Sequence, residues 1–327
     1  MNAAEPRVVV FGEALTDFVR LGGQGWISIA GGSCWNVARA VARLGIPAAW
    51  AGAVSNDLFG REIVEKSREA GLDPRFLQVV DKPPLIAVVH ETRPPRYFFL
   101  GADAADLAFD EQRLPQSWED RCELAHFGSI SLTRQPLAGR LVILATRLRE
   151  RGTAISFDPN FRNVMGPDYL PVFERMVRVA TIIKLSDEDL AGVYPGRTCA
   201  EALAQVRAMA PNATLLFTRG ELGLTVFKGE ERVEQKPVPV QVADTVSAGD
   251  CCLGGFVASL LSSPGAGLAD HALFAAATAS VACTRPGAYA PTGEEVVELL
   301  RRSDRLWGWG GSPSPQHFHR PAQPDRT

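Results

Sequence analysis

Short apolar runs, free of the polar alternation of a half-exposed strand, recur along this chain at residues 7–11, 48–54, 124–132, 154–158, 181–185 and 214–218. Strands buried on both faces read this way. Amphipathic or apolar helical stretches of about ten residues or more lie between most of them, as at 57–70, 137–151 and 199–210. This alternation predicts an α/β protein with three layers, helices covering both faces of a mostly parallel central sheet. No G-x-G-x-x-G follows the first strand and no G-x-x-x-x-G-K-[ST] occurs, which weakens dinucleotide and P-loop readings.

The chain has 327 residues, enough for one large domain or two small ones. Formal net charge is −3, which leaves no basic footprint for nucleic acid. No apolar run is long enough to span a membrane, and the first residues lack the pattern of a secretory leader. The six cysteines form no C-x-x-C pair, so free thiols in a reducing, cytoplasmic setting are expected rather than a zinc site or disulfides. From residue 307 onward the sequence is Gly/Pro-rich and aperiodic, and is read as a flexible tail at 307–327.

The chemistry concentrates in residues 242–256, VADTVSAGDCCLGGF. A β-like run at 237–242, PVPVQV, is expected to end in a tight turn that opens a helix. The N–H groups of Ala248, Gly249 and Asp250 would then lie at a helix N-terminus, a natural anion site. A carboxylate repels an anion, so Asp250 makes sense there as a base that deprotonates a hydroxyl beside a held phosphate. A helix cap at Asp244 or Asp250, with Gly249 shaping the turn, explains the same residues locally.

Other polar residues stand at strand exits, where open α/β sheets hold ligands. Asp17 follows the first strand; Asp158, Asn160 and Arg162 follow the strand at 154–158. The Gly31-Gly32 turn permits close approach of backbone to a ligand, and Asn36 near the next helix start either binds a polyol or bonds locally. Residues 84–100 read as a hairpin carrying Arg96 and Tyr97. Ser186 is a plain helix cap with acids behind it, and Gly220 and Gly223 suit either a phosphate loop or a hairpin turn. The alanine-rich helix 268–283 either packs tightly or leaves room for a flat ring.

DTVSAGD resembles the C-terminal signature of the ribokinase-like (PfkB) carbohydrate kinases, with Ser247 where Gly is usual. The Gly31-Gly32 to Asn36 segment resembles the family's N-terminal signature, and GEALTD, DPNFR and KLSDEDL resemble fructokinases, with DPNFR similar also to 2-keto-3-deoxygluconate kinases. The resemblance spans about residues 7–300. It implies a ribokinase-like kinase domain over 1–306 with a small β-sheet lid from 17–29 and 84–100, ATP and Mg²⁺ as donor, and a sugar hydroxyl as acceptor. Asp250 would be the base, with Ser247, Ala248, Gly249 and Arg162 steadying the transferring phosphate. Asp17, Gly31, Gly32, Asn36, Arg96, Tyr97 and Asn160 would meet the sugar. Trp35, larger than the family's usual residue, would pack the helix or narrow the sugar pocket. Lys184, Ser186, Thr218, Gly220, Gly223 and Ala276 would lie on the nucleotide side, with Asp189 in the magnesium network through water. Asp244, Val246, Ala282, Arg285 and Gly287 would surround a monovalent cation, K⁺, largely through backbone. Fructose is the expected acceptor, with 2-keto-3-deoxygluconate or another sugar as alternatives. A non-catalytic sugar-binding protein of the same fold is the reading from a different class. The lid is also where a homodimer would form.

Overall fold

The computed structural model describes residues 5–21, 23–92 and 95–303, and side chains at 92–96 fall outside that description. The tail at 307–327 lies outside the described residues. In chain order the elements are β1 (Val8–Phe11), β2 (Leu15–Arg20), β3 (Trp26–Gly31), α1 (Ser33–Arg43), β4 (Ala48–Ser55), α2 (Leu58–Glu69), β5 (Leu77–Val80), β6 (Ile86–Thr92) and β7 (Pro95–Leu100). They continue as β8 (Leu124–Gly128), α3 (Leu137–Glu150), β9 (Ala154–Asp158), α4 (Tyr169–Val179), β10 (Ile182–Ser186), α5 (Asp187–Val193), α6 (Cys199–Met209) and β11 (Thr214–Thr218). The last are β12 (Leu224–Lys228), β13 (Glu231–Gln235), α7 (Ala248–Ser262), α8 (Leu268–Ala282) and α9 (Gly293–Arg302).

The central sheet runs β13-β12-β11-β10-β9-β8-β1-β4-β5. Its pairs are parallel from β5 to β11, and β12 and β13 extend it antiparallel at one edge. Side-chain alternation along a strand divides the apolar runs between two cores. Val9, Phe11, Phe127, Phe157 and Ile183 pack with α3, α4 and α6 on one face. Val8, Val10, Leu124, Ile182 and Leu216 pack with α1, α7, α8 and α9 on the other. This is the three-layer arrangement that the uninterrupted apolar runs predict.

A second sheet, in the order β3-β2-β6-β7, is built from the two stretches read as a lid. β2 joins it to β1 directly, and the Thr16 N–H donates to the Leu85 carbonyl at its root. At the far root Arg134 grips the Asp106 carboxyl and the Gly101 carbonyl.

One stretch departs from its sequence reading. Residues 237–242 are not a strand, and the chain reaches the anion turn as irregular backbone. Pro237 and Pro239 supply no N–H for a ladder, which explains why apolar spacing alone misleads there. The edge strand β13, with its charged sequence ERVEQ, instead follows the Gly229 turn.

α7 is largely buried. An added Cβ at Gly254 would stand 2.7 Å from the Ala40 Cβ, and one at Gly255 would stand 2.5 Å from the Thr278 Oγ1. The paired glycines therefore let α7 press closely against α1 on one side and α8 on the other. This close packing brings the N-terminus of α7 against that of α1.

Candidate functional site

α7 opens at Ala248, with Ser247 as its N-cap at φ 61°. That left-handed conformation favours glycine, so Ser247 adopts a backbone that a β-carbon resists. The turn survives the substitution. Cys251 N–H closes the first helical bond to the Ser247 carbonyl at 2.8 Å and the Ala248 N–H donates to the Thr245 carbonyl at 3.2 Å, leaving the N–H groups of Gly249 and Asp250 as the free donors of the first turn.

Asp250 is buried in that first turn. Its Oδ1 accepts the Ser33 hydroxyl at 2.6 Å and its Oδ2 accepts the Asn36 amide at 2.9 Å. Burial raises its pKa; the two hydrogen bonds and the positive charges of Lys184 and Arg162 oppose that shift. Asn36 thus uses its Nδ2 on the carboxylate, while its buried Oδ1 has no protein partner. Ser33 is a site residue that the sequence reading missed. A serine following two glycines looks like an ordinary helix start, and only the α1–α7 packing reveals its partner.

Asp17 projects from β2 against the Gly31-Gly32 turn. A Cβ at Gly31 would lie 2.5 Å from Asp17 Oδ2, so the missing side chain makes room for the carboxylate. Gly32 has φ 116°, and a Cβ there would stand 2.7 Å from the Glu13 carbonyl. Burial, with a smaller push from Glu13, raises the Asp17 carboxyl to about 7 against the pull of Arg162. Arg162 is braced through its Nη1 by the carbonyls of Phe161 at 2.9 Å and Asn160 at 3.2 Å. Its guanidinium lies 5.7 Å from the Tyr97 ring, which descends from the lid. Asp17, Tyr97 and Arg162 therefore meet where lid and main sheet face each other. Arg96 lies beside Tyr97 in sequence, but its side chain is outside the described residues. Trp35 does not narrow this space: it is fully buried and donates to Ser67.

Beneath the α7 turn, Lys184 stands 2.9 Å from Asp158 Oδ2 and 4.0 Å from Asp189 Oδ2. Burial disfavours its charge, but Asp158, Asp189 and Asp250 outweigh that and keep the ammonium protonated. An added Cβ at Gly249 would be 3.2 Å from Lys184 Nζ, so the cation abuts the anion turn itself. Asp158 rises to about 6 through burial, opposed chiefly by Lys184. Its Oδ2 makes no aligned hydrogen bond despite the short ionic contact.

Several sequence assignments look different in place. Asp189 and Ser186 form a capping box on α5, and Asp189 Oδ1 also accepts the Phe161 N–H at 2.6 Å. Both oxygens of Asp189 are thus already engaged in tying the 158–162 turn to α5. Ala276 packs within the core against the sheet rather than on the wall of an open slot. Thr218 donates to the Leu185 carbonyl, and Gly220 and Gly223 flank a short 3₁₀ turn at left-handed φ. The 243–246 and 282–287 loops do meet: Asp244 accepts the N–H groups of Gly287 and Val246, and Cys283 O accepts those of Ala243 and Asp244. Arg285 turns away to Glu295.

Among the described residues no group of three or more His, Cys, Asp or Glu side chains could hold a metal ion. The residues instead fit a magnesium carried mainly by phosphates and water, with Asp158, whose Oδ2 lacks an aligned partner, and Asp189 nearby. No helix among the described residues is long and apolar enough to cross a membrane.

Residues 5–294 match the pfkB family of carbohydrate kinases. The chain belongs to that family. A fructokinase of Salmonella typhimurium is 30% identical over 266 residues, covering 80% of this chain and 85% of its own. The crystal structure of a fructokinase from Xylella fastidiosa with bound ATP superposes with a TM-score of 0.81 at 26% identity, covering 90% of this chain and 98% of the other. Aminoimidazole riboside kinase from Salmonella enterica, complexed with aminoimidazole riboside and an ATP analogue, gives a TM-score of 0.78 at 26% identity, covering 90% and 99%. As a pfkB carbohydrate kinase, the chain places both of its signature segments at one point, where Ser33 and Asn36 of α1 bind Asp250 of α7.

The raised Asp17 pKa has a measurable consequence. Below pH about 7 the free enzyme carries Asp17 protonated, and above it ionised and able to accept hydrogen bonds from two hydroxyls. With Asp17 as the sugar ligand that the family resemblance implies, kcat/KM for sugar would fall as pH drops through about 7 and level off above it. Asp17→Asn should flatten that step and cost about 10- to 100-fold at pH 8, as loss of a charged hydrogen-bond partner does. A step unchanged in Asp17→Asn would assign it to another group.

Proposed function

We propose that this chain transfers the γ-phosphoryl group of ATP to a primary hydroxyl of fructose. The observation that carries the reading is the position of Asp250, a buried carboxylate in the first turn of α7 that the sugar-side helix α1 grips through both oxygens. Asp17, the unpartnered Oδ1 of Asn36 and the Gly31-Gly32 backbone offer acceptors and donors to a polyol. Asp250 takes the hydroxyl proton as charge builds in the transition state, because a carboxylate is far too weak a base to remove it beforehand. The 247–250 turn, Lys184 and the braced Arg162 steady the phosphoryl oxygens. Magnesium, near Asp158 and Asp189, would offset phosphate charge when the nucleotide binds. The lid closes over the sugar and excludes water, which would otherwise take the phosphoryl group.

Fructose is favoured by the fructokinase-like GEALTD, DPNFR and KLSDEDL segments and by the fructokinases among the relatives. A keto acid such as 2-keto-3-deoxygluconate is the second reading, since Arg162 beneath Tyr97 would suit a carboxylate. Aminoimidazole riboside enters through the relative that binds it. An ADP-release assay with fructose, 2-keto-3-deoxygluconate, ribose and aminoimidazole riboside separates them. Fructose should exceed each of the others by about 10-fold or more in kcat/KM. A higher value for the keto acid would reassign Arg162 to carboxylate binding, and no ADP with any sugar would make the chain a binding protein. Repeating the assay with and without K⁺ tests the loop around Asp244. The lid's exposed Trp26, Ile27, Phe98 and Leu100 are the surface on which a homodimer would form, which light scattering would detect.

A further inference from the structure

Glu13 lies between β1 and β2, is almost wholly buried and has no basic partner among the described residues. A buried carboxyl without a cation is costly unless its surroundings require it. Its Oε2 accepts the Ser131 hydroxyl, and the Ser129 hydroxyl also favours its charged form, although burial raises its pKa overall. Ser129 has φ 55° and begins the 3₁₀ turn that leaves β8. Across from it Asn160, at the exit of β9, has φ 40° and its amide lies 3.5 Å from the Ser129 hydroxyl. Two non-glycine residues in the left-handed region thus face each other beside the sugar site. Such conformations are unfavourable for non-glycine residues and persist only where neighbours hold them. The exits cannot separate freely, since β8 and β9 stay paired up to Gly128 and Asp158. The backbone of Glu13 has a second role: its carbonyl accepts the Trp35 N–H at 3.4 Å and bounds the space beside Gly32.

We propose that Glu13 is a positioning residue for the sugar, holding the β8 exit so that Ser129 sets the Asn160 amide while its own backbone sets the Gly32 turn. The proposal rests on the kinase reading above and deepens it. Glu13 touches no reacting atom. It acts on the sugar side through Ser129, Ser131 and the Asn160 side-chain amide, whereas the Asn160 N–H and Lys184 are both held by Asp158 and Thr218 by the Leu185 carbonyl. A merely structural glutamate would lower stability and leave the balance between substrates unchanged.

The test is steady-state kinetics of Glu13→Ala, Glu13→Gln and Ser131→Ala with the preferred sugar and ATP varied in turn. Glu13→Ala should raise the sugar KM by about 10-fold or more while the ATP KM stays within about 2-fold, as expected when a hydrogen bond that orders only one subsite is lost. Glu13→Gln, which can still accept from Ser131, should restore the sugar KM to within about 3-fold of the parent. Should Glu13→Ala not fold, Ser131→Ala reports the same split. Unchanged sugar KM with only a lower melting temperature would overturn the proposal, as would parallel rises in both KM values or a Gln variant no better than Ala. Parental turnover checks the kinase reading separately, so the two ideas fail by different results.

Discussion

Asp250→Asn is expected to lose at least about 10²-fold in turnover, the usual contribution of a positioned general base, while still binding ATP and sugar. The geometry makes this substitution unusually clean. The carboxylate accepts from Ser33 on one oxygen and from Asn36 on the other. The amide that replaces it retains one acceptor for Ser33, and Asn36 can turn its Oδ1 toward the new NH₂, presenting its own NH₂ to the sugar in exchange. The α1–α7 contact therefore persists, and what disappears is the negative charge and the capacity to take a proton. ADP release measured beside calorimetric binding of each substrate separates these effects. Near-parental turnover would remove Asp250 from the chemistry.

Arg134→Ala is expected to destabilise the protein by about 3–5 kcal/mol, the cost of leaving a buried charge without its partner. Asp106 is 2% exposed at its side chain and Arg134 17%, so water can replace little of the lost interaction. The guanidinium meets both carboxylate oxygens, at 2.5 and 2.9 Å, and the Gly101 carbonyl at 2.5 Å. Gly101 directly follows β7, so the same arginine anchors the lid to the main body. Urea denaturation should show the loss, and Arg134→Met combined with Asp106→Leu should recover much of it because no charge remains buried. A loss below about 1 kcal/mol would place this pair among ordinary surface contacts.

The layers were legible because strands such as Val8–Phe11 and Ile182–Ser186 carry apolar residues on both faces, as only strands covered on both sides tolerate. The hairpin and Gly-rich ribbon could be read as well, since they break the helix–strand alternation, and the family resemblance implied that they form a lid. What the sequence concealed depends on long-range packing. Ser33 and Asp250 are far apart in the chain and meet only because Gly254 allows α7 to approach α1. Glu13 reads as a polar residue in a loop, and its burial follows from the β8 exit folding over it. Asp189 reads as part of a magnesium network through water, and the structure adds a capping box in which the same acid accepts backbone N–H groups. Proline defeated the reading at 237–242, where apolar spacing suggested a strand whose N–H groups are partly missing.

The proposed phosphoryl transfer turns on where the Asp250 carboxylate stands relative to the acceptor. A crystal structure with sugar and a non-hydrolysable ATP analogue bound tests this most directly. An Asp250 oxygen within about 3.2 Å of the acceptor hydroxyl, with that hydroxyl facing the γ-phosphate above the 247–250 turn, is the predicted result. A closed complex in which Asp250 contacts only Ser33 and Asn36, with no sugar hydroxyl in reach, would contradict it.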